Sequence, residues 1–333
     1  MPYPPAIDMH SHYHGAGVLD VLRRRKATPR LEVGADGTDM LVTSTKKMVF
    51  KEHDRSIETR IEFMDSIGLT KQLLVFPGNM GIDVLPVAEA IPIVTAYNDG
   101  LAEQRRRNSD RFVTLAGLPF ADMNAAVREL RRARLELGHI GAIIPTGYVT
   151  DLETLERLRS LFNVADEIGA HFLIHPGPRH DQLNIDSTTQ DFAMQRASVL
   201  DLQNGVSHAV VTLTLSDFLK NFSNVSVQVI NLGGTIPFIL ERMEYVVEVR
   251  TPDAPRDLAR RLRRLYVDSG SMGSRALELA VRVFGADRVM LGTDFPFFPT
   301  SRAQDAVEEA NLTNEQKTMV RMTTAETLLD RYQ

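Results

Sequence analysis

The sequence predicts an α/β fold built as a (β/α)8 barrel, and three observations support this prediction. Eight short runs rich in β-branched and apolar residues recur along the 333-residue chain, and such runs are typical of parallel strands that are covered on both faces. Segments with helical periodicity separate the runs. Several of these segments end at a glycine, which is a usual stop signal of a helix. An open, doubly wound sheet is the alternative.

The elements alternate along the whole chain. The predicted strands are 6–10, 71–76, 112–118, 140–145, 171–175, 225–232, 265–268 and 289–292. The predicted helices are 57–67, 88–108, 124–137, 152–168, 236–247 and 274–284. Since no linker or change in composition divides the chain, we expect residues 1–333 to form a single domain.

Two segments depart from the alternation. Residues 18–52 form a polar insert after the first strand, in which 30–33 and 40–43 are expected to pair as a small hairpin. Residues 176–207 form a loop after the fifth strand that is long for a barrel. Both are expected at the C-terminal face, where barrels place their active sites, either as a lid or pocket wall or as surface decoration.

The composition restricts the classes of function. A formal net charge of −5 does not suggest a nucleic-acid surface. No stretch approaches the ~18 apolar residues of a membrane span, and the first residues lack the pattern of a signal peptide. The chain has no cysteine, which excludes thiolate catalysis and cysteine-ligated zinc. We expect a cytoplasmic protein whose partner is a small molecule.

The first strand ends in a His-x-His-x-His run, with histidines at 10, 12 and 14. Residues two apart on a strand share one face, so His10 and His12 project the same way, about 6–7 Å apart along the backbone. One metal ion can bind both rings. His14 would join them only if the strand ran that far, and Gly15 and Gly17 indicate that it does not.

Two further candidate ligands lie at predicted strand ends. His175 ends the fifth strand immediately before Pro176, and Asp294 follows the eighth strand. A carboxylate at the end of an apolar strand must be paired, hydrogen-bonded or bound to metal. In a closed barrel, both would surround one point together with His10 and His12. Three histidines and an aspartate suit Zn²⁺, Mn²⁺ or Fe²⁺ better than Mg²⁺ or Ca²⁺.

Six motifs follow one another along nearly the whole chain. They are Ile-Asp-Met-His-Ser-His at 7–12, Arg-Ile-Glu-Phe-Met-Asp-Ser-Ile-Gly at 60–68, Asn-Asp-Gly-Leu-Ala-Glu at 98–103, Asp-Arg-Phe-Val-Thr-Leu-Ala at 110–116, His-Pro-Gly at 175–177 and Gly-Thr-Asp-Phe-Pro at 292–296. In this ordered set the chain resembles the amidohydrolase superfamily. The similarity is to the branch with aminocarboxymuconate-semialdehyde decarboxylase and the resorcylate-type decarboxylases.

The resemblance implies a distorted barrel with one catalytic divalent metal, held by His10, His12, His175 and Asp294. It also implies that Asp294 accepts a proton from metal-bound water, and that the chain forms a homodimer. One position departs from the pattern, because Asn231 stands where the sixth strand of the family has an acid–base histidine. An amide does not exchange protons near neutral pH, but it can donate a hydrogen bond or offer its oxygen to a metal.

This departure leaves room for a second metal. Candidate ligands in loops expected near the mouth, or at the start of the first helix after the insert, are His14, His53, Glu58, His180 and Asn231. For each histidine alone, a solvated or hydrogen-bonded loop position is the simpler interpretation. For Glu58, it is a helix-start carboxylate stabilised by the helix dipole.

Candidate substrate contacts flank the predicted site. Phe295 and Phe297 follow Asp294 and would supply an apolar wall. Arg24, within the basic run 23–26, could bind a carboxylate, phosphate or coenzyme A group, although a solvated insert face explains that run too.

The leading functional hypothesis is a metal-dependent lyase or hydrolase. It would catalyse decarboxylation, or C–C or C–N hydrolysis, of a small organic acid with a hydrophobic or aromatic body, and Asn231 would orient substrate or water. The alternative is a non-haem diiron oxygenase on the same scaffold that hydroxylates a hydrophobic acid or its thioester. An inactive binding module is disfavoured because all four predicted ligands are present.

Overall fold

The strands form two sheets. A computed structural model describes residues 3–34, 37–43, 47–49, 56–182, 191–251 and 253–332. In chain order the strands are β1 (Ala6–His12), β2 (Arg30–Val33), β3 (Asp39–Val42), β4 (Lys47–Val49), β5 (Leu69–Val75), β6 (Phe112–Ala116), β7 (Gly141–Pro145), β8 (His171–His175), β9 (Ser226–Val229), β10 (Leu265–Asp268) and β11 (Val289–Met290). The eight strands β1 and β5 to β11 form one parallel sheet in sequence order.

The ends of this sheet meet through the residues that follow β11. The amide of Met9 donates to the Leu291 carbonyl (2.8 Å), and the amide of Asp294 donates to the His10 carbonyl (2.9 Å). A parallel bridge joins Ser11 to Phe295. The (β/α)8 barrel is therefore confirmed, and the ends of β1, β8 and β11 share one mouth.

Helices surround the barrel. They are α1 (Ala16–Arg24), α2 (Ile57–Ser66), α3 (Val87–Arg107), α4 (Met123–Leu135), α5 (Leu152–Glu156), α6 (Arg159–Ile168), α7 (Ala193–Gln195), α8 (Leu202–Leu215), α9 (Ile236–Val249), α10 (Leu258–Leu262), α11 (Ser274–Phe284), α12 (Thr300–Glu309), α13 (Asn314–Thr318) and α14 (Thr324–Leu329). Gly68 and Gly285, which follow α2 and α11, have φ of 77° and 90°, a conformation that favours glycine. No helix in the described ranges has the length and hydropathy to cross a membrane.

The insert after β1 contains the predicted hairpin. β2 and β3 pair antiparallel with Arg30 opposite Val42, and β4 adds a third strand along β3. Helix α1 precedes this small sheet and packs against α3.

Two predicted segments differ from the structure. The predicted helix 152–168 is interrupted after Glu156 by a turn at 157–158, and α6 begins at Arg159. The predicted loop 176–207 is helical from Ala193, through α7 and a π-helical turn (Arg196–Asp201) into α8. Since residues 193–201 bury no side chain, this part has no core-facing apolar stripe that sequence periodicity could detect.

Two histidines away from the barrel mouth are buried and hydrogen-bonded. His139 contacts the Thr114 hydroxyl (2.8 Å) and the Asn98 carbonyl. His171 contacts the hydroxyl of Ser226 (2.7 Å) and the side chain of Gln228. Burial lowers the pKa of His139 and that of His171 to about 4.

Candidate metal centre

Three imidazole rings converge at the mouth of the barrel. His10 and His12 come from the end of β1, and His175 is the last residue of β8. The ring centroids lie 5.2 Å apart for His10 and His12, 5.3 Å for His10 and His175, and 4.9 Å for His12 and His175, and each pair meets edge to face. One nitrogen from each ring lies within 4.8 Å of the others. These three residues can hold one metal ion.

Hydrogen bonds orient two of the rings. His10 Nδ1 lies 3.1 Å from Asp268 Oδ1, and His175 Nδ1 lies 3.1 Å from the carbonyl oxygen of Pro176. With Nδ1–H as the donor in both rings, each Nε2 keeps its lone pair. A carboxylate or carbonyl behind a histidine in this way selects the tautomer that binds a metal through Nε2.

Asp294 lies beside two of the three rings. Its Oδ1 is 3.2 Å from His12 Nε2 and 3.7 Å from His10 Nε2. Its backbone has φ of 55°, which a non-glycine residue adopts only when its surroundings hold it there. Burial alone would raise the pKa of Asp294, but the hydrogen bond to His12 and the charge of His10 lower it. Asp294 is therefore an anionic oxygen at the edge of the cluster.

The donor set fits a divalent transition metal. Within the described chain, His10 Nε2 is buried and has no hydrogen-bond partner, a costly arrangement that a bound cation would relieve. Burial lowers the pKa of His12 and that of His175, so both favour the neutral, metal-binding form. Although burial also favours a neutral His10, Asp268 raises the pKa of His10 to about 9. Its proton would be displaced when a metal binds.

A buried polar network holds the backbone of β1 in place. Asp8 accepts hydrogen bonds from the His10 amide (3.1 Å) and from Gln72 Nε2 (2.9 Å). The Arg60 guanidinium donates to Gln72 Oε1 (2.8 Å) and to the His12 carbonyl (2.8 Å). This network anchors the strand that carries two of the three clustered histidines.

A family model described as amidohydrolase matches residues 7–331. The chain belongs to the amidohydrolase family. Curated relatives confirm the predicted branch. A γ-resorcylate decarboxylase from Rhizobium radiobacter is 26% identical over 290 residues, which cover 81% of this chain and 86% of the relative. A 2-amino-3-carboxymuconate-6-semialdehyde decarboxylase from Dictyostelium discoideum is 27% identical over 218 residues, or 63% of this chain and 58% of the relative.

Solved structures show the same fold. A dihydroxybenzoic acid decarboxylase from Polaromonas, with bound manganese and the inhibitor 2-nitroresorcinol, matches 99% of this amidohydrolase. The match covers 98% of that chain, with a TM-score of 0.74 and 18% identity. At 18% identity, this similarity is evidence for the fold alone.

Asn231 lies in a short turn just after the sixth barrel strand, β9, in this amidohydrolase. It is buried, has φ of 52°, and its Oδ1 has no hydrogen-bond partner among the described residues. A Cβ on Gly270 would lie 2.9 Å from His10 Nδ1, 3.0 Å from Asp268 Oδ1 and 3.3 Å from Asn231 Oδ1. Asn231 thus lies close to the His10–Asp268 pair, beside the candidate metal ligands.

Among the described residues, the other candidates for a second metal form no cluster of their own. In the part of the chain that the structure describes, His10, His12 and His175 form the single group of three or more potential ligands. His14 is buried, and burial lowers its pKa to about 3, but it lies outside that group. Glu58 is exposed and accepts a hydrogen bond from Ser56, which caps α2. His180 is exposed and bonds the Tyr148 hydroxyl (2.7 Å).

His53 lies outside the described residues. A second metal therefore stays a prediction without a cluster of ligands to support it.

The predicted substrate contacts separate into different environments. Phe297 is partly exposed, and its ring lies 5.2 Å from that of His12. Phe295 is buried and stacks on Phe63 at 4.7 Å. The bridge from Ser11 fixes the position of residue 295, and the substrate contact predicted for Phe295 stays a prediction. Arg24 is exposed in the last turn of α1 and stays a prediction.

Two acidic residues were missed by the sequence pattern. Asp268 ends a short apolar strand, so the argument applied to Asp294 could have identified it. Asp83 lies in a helical turn after β5, where nothing in the sequence distinguishes it. A Cβ on Gly177 would lie 3.3 Å from Asp83 Oδ2, so this carboxyl packs beside the chain two residues after His175. Burial raises the pKa of Asp83 to about 7.

Proposed function

We propose that this amidohydrolase is a divalent-metal-dependent decarboxylase that acts on a small aromatic carboxylic acid. The observation that carries the proposal is the cluster of His10, His12 and His175 at the barrel mouth, with Asp294 beside it. The curated relatives support the reaction class, since they include decarboxylases of γ-resorcylate and of an aminocarboxymuconate semialdehyde. No observation favours the diiron oxygenase.

The proposed ligands are His10, His12, His175 and Asp294, and the proposed ion is Mn²⁺, Zn²⁺ or Fe²⁺. When bound, such an ion acts as a Lewis acid towards carboxylate or hydroxyl oxygens of a substrate. Asp268 and the Pro176 carbonyl fix the rings of His10 and His175 before the ion arrives. Manganese in a solved structure of the same fold supports this set of metals.

Decarboxylation requires a proton at the carbon that loses CO2. The C–C bond breaks, its electron pair stays on the ring carbon, and a proton forms the new C–H bond. The amide of Asn231 cannot supply that proton, and Asp294 would serve as a ligand of the metal.

Asp83 is the proton donor that we propose. Among the described residues it has no hydrogen bond or ion pair, and its Oδ2 lies beside Gly177, two residues after His175. A carboxyl group whose pKa lies near 7 is protonated in a substantial fraction of molecules at neutral pH. The titratable group near Asp83 is the hydroxyl of Tyr148, which is hydrogen-bonded to His180. Burial raises the pKa of Tyr148 to about 12. Arg179 and Asp181 pair with each other nearby.

The remaining expectations concern the substrate and the cell. Phe297 beside His12 favours an aromatic or hydrophobic substrate body. Arg24 would contact an anionic group of a longer substrate. The cytoplasmic location and the lack of a nucleic-acid partner rest on composition and charge.

Metal removal followed by reconstitution tests the function. The purified protein is analysed for bound metals, stripped with a chelator, and assayed for CO2 release from γ-resorcylate and from 2-amino-3-carboxymuconate-6-semialdehyde. We expect one ion per chain, loss of activity on stripping, recovery with Mn²⁺ or Zn²⁺, and equal rates in air and under argon. Two irons per chain with substrate-dependent oxygen consumption would replace this proposal by the oxygenase.

A further inference from the structure

Four arginines line a cavity at the end of the barrel opposite the candidate metal centre. Arg263 and Arg264 immediately precede β10, Arg288 precedes β11, and Arg331 lies near the end of the chain. The cavity has a volume of about 270 Å³. Since Asp268, which contacts His10, lies at the other end of β10, this cavity is separate from the metal centre.

Contacts with one carboxylate and with the backbone hold two of these arginines. Arg263 Nη2 lies 2.9 Å from both carboxylate oxygens of Asp287, and Arg288 Nη1 lies 3.6 Å from Asp287 Oδ2. Arg288 Nε also donates to the Arg263 carbonyl (2.6 Å), and its guanidinium lies 5.0 Å from the centre of the Tyr266 ring. One carboxylate thus serves two guanidinium groups, which leaves a positive charge at this wall of the cavity.

Backbone carbonyl groups hold the other two arginines. Arg264 Nη2 donates to the Leu219 carbonyl (2.5 Å), and Arg331 Nη2 donates to the Ser223 carbonyl (3.4 Å). Neither guanidinium has an ion pair with any residue that the structure describes. Because a guanidinium has five N–H groups, each of these two keeps N–H groups that are not bonded to a described residue.

The protein balances the positive charge of this cavity only in part. In the described part of the chain, the residues that line it include no aspartate or glutamate. The charge of Asp217 raises the pKa of Arg264, but Asp217 pairs with Lys220 and Arg261. Burial and the charge of Arg261 outweigh this effect and lower the pKa of Arg264. Such crowding of like charges costs free energy, and a bound anion would relieve it.

We infer that this cavity binds the phosphate group of a small molecule, either inorganic phosphate or a phosphate ester. Arginine binds phosphate oxygens through two parallel N–H groups. A phosphate offers three strong acceptor oxygens, so it can bond guanidinium groups that approach from several sides, whereas a carboxylate offers two. The buried rings of Phe222 and Tyr266 line the same cavity and can contact the body of an ester.

The distribution of charge favours a small ligand over a nucleic acid. The chain as a whole has a net charge of −5, so the four arginines form a local basic site and not part of a generally basic surface. The site is also concave and of limited volume, which is typical of sites for small molecules.

Calorimetric titration tests the inference with matched variants. Inorganic phosphate, pyrophosphate and AMP are titrated separately into the purified full chain at low ionic strength, with sodium chloride as the reference salt. We expect one saturable site per chain, and at least tenfold weaker binding in the double variant Arg264→Gln/Arg331→Gln. The control Arg260→Gln/Arg282→Gln removes two exposed arginines of α10 and α11 that do not line the cavity, so it should bind like the wild type.

The three probes also identify the form in which phosphate binds. Tighter binding of AMP than of inorganic phosphate indicates a phosphate ester, because the nucleoside then adds contacts with the walls of the cavity. Equal or weaker binding of AMP indicates inorganic phosphate. The inference is wrong if none of the three probes binds saturably, or if the cavity variant and the control variant bind them with equal affinity.

Chemical modification gives a second measurement that needs no substitution. Phenylglyoxal reacts with accessible arginines, and mass spectrometry of the digested chain locates the modified residues. Inorganic phosphate in the cavity should slow the modification of Arg264 and Arg331 several-fold and leave that of Arg260 and Arg282 unchanged. If phosphate protected none of the four arginines, or protected all four equally, the cavity would not be its binding site.

Discussion

Replacing Asp268 by asparagine separates the orientation of a metal ligand from the stability of the barrel. Asp268 Oδ1 accepts hydrogen bonds from His10 Nδ1 (3.1 Å) and from the Gly270 amide (3.0 Å), and Oδ2 accepts one from Gln228 Nε2 (2.6 Å). An asparagine side chain is nearly isosteric, but it offers one oxygen and one NH2 group. In one orientation of the asparagine amide, its NH2 group faces the N–H donors of His10 and Gly270. In the other orientation, its NH2 group faces the N–H donor of Gln228.

The size of the effect follows from these contacts. Loss of a carboxylate behind a ligating histidine typically lowers metal affinity 10–100-fold, which is about 1.4–2.7 kcal/mol. Losing a buried hydrogen bond to a charged group costs a further ~1.5–3 kcal/mol of folding stability. We therefore expect Asp268→Asn to bind metal 10–100-fold more weakly while remaining folded.

Asp8→Asn is the matched control. Asp8 is equally buried and accepts bonds from the His10 amide, from Gln72 and from both the amide and hydroxyl of Thr293. Asp8 holds the backbone of His10 rather than its imidazole ring. Asp8→Asn should therefore lose a similar amount of folding stability but change metal affinity by less than about threefold. Competition with a chromophoric chelator measures affinity, and urea unfolding measures stability. If Asp268→Asn bound metal as tightly as the wild type, or if both variants lost metal affinity equally, Asp268 would not orient the His10 ring.

Other substitutions test the ligand set, the buried histidines and the proton donor. His175→Ala should lose stoichiometric metal, and full metal content by elemental analysis would contradict the ligand set. Because the pKa of His139 and that of His171 fall to about 4 in the folded state, the unfolded chain binds more protons below pH 6.5. Each of these histidines should therefore lower the free energy of unfolding by about 2 kcal/mol when the pH falls from 7 to 5. Urea unfolding at the two pH values measures this loss, and replacing one of the histidines by glutamine should remove its share of the loss. Asp83→Asn should lower kcat about 10²–10⁴-fold and remove the pH–rate limb near 7 without changing metal content. An unchanged profile excludes Asp83 as the acid. Adding Asn231→His to Asp83→Asn should restore part of the rate, since it returns a titratable group to the site.

Local patterns were sufficient for the barrel and for the histidine cluster. Strand periodicity placed His10 and His12 on one face, and Pro176 placed His175 at a strand end, because both rules depend on a few neighbouring residues. The same rules located β8 and β10 residue by residue. They failed at the helical segment 193–201, where no side chain faces a core and no periodic signal exists.

The environment of each site residue depended on residues far away in the chain. The partner of His10 is Asp268, 258 positions later, and the amide and hydroxyl that hold Asp8 belong to Thr293, 285 positions later. Phe295 and Phe297 have the same residue type and nearly the same position in sequence, yet one stacks on Phe63 in the core and the other lies beside His12. The short-range pattern of the sequence does not specify such pairings.

By itself, the sequence determined the alternation of strands and helices, the family resemblance and the identity of the candidate ligands, because these are encoded in residue type and short-range spacing. Only the tertiary structure decided which ring nitrogens are free for a metal, which carboxyls are paired, and where Asp83 lies. The physical reason is that hydrogen bonding, burial and the pKa values they shift depend on neighbours in space, and barrel closure brings those neighbours from opposite ends of the chain.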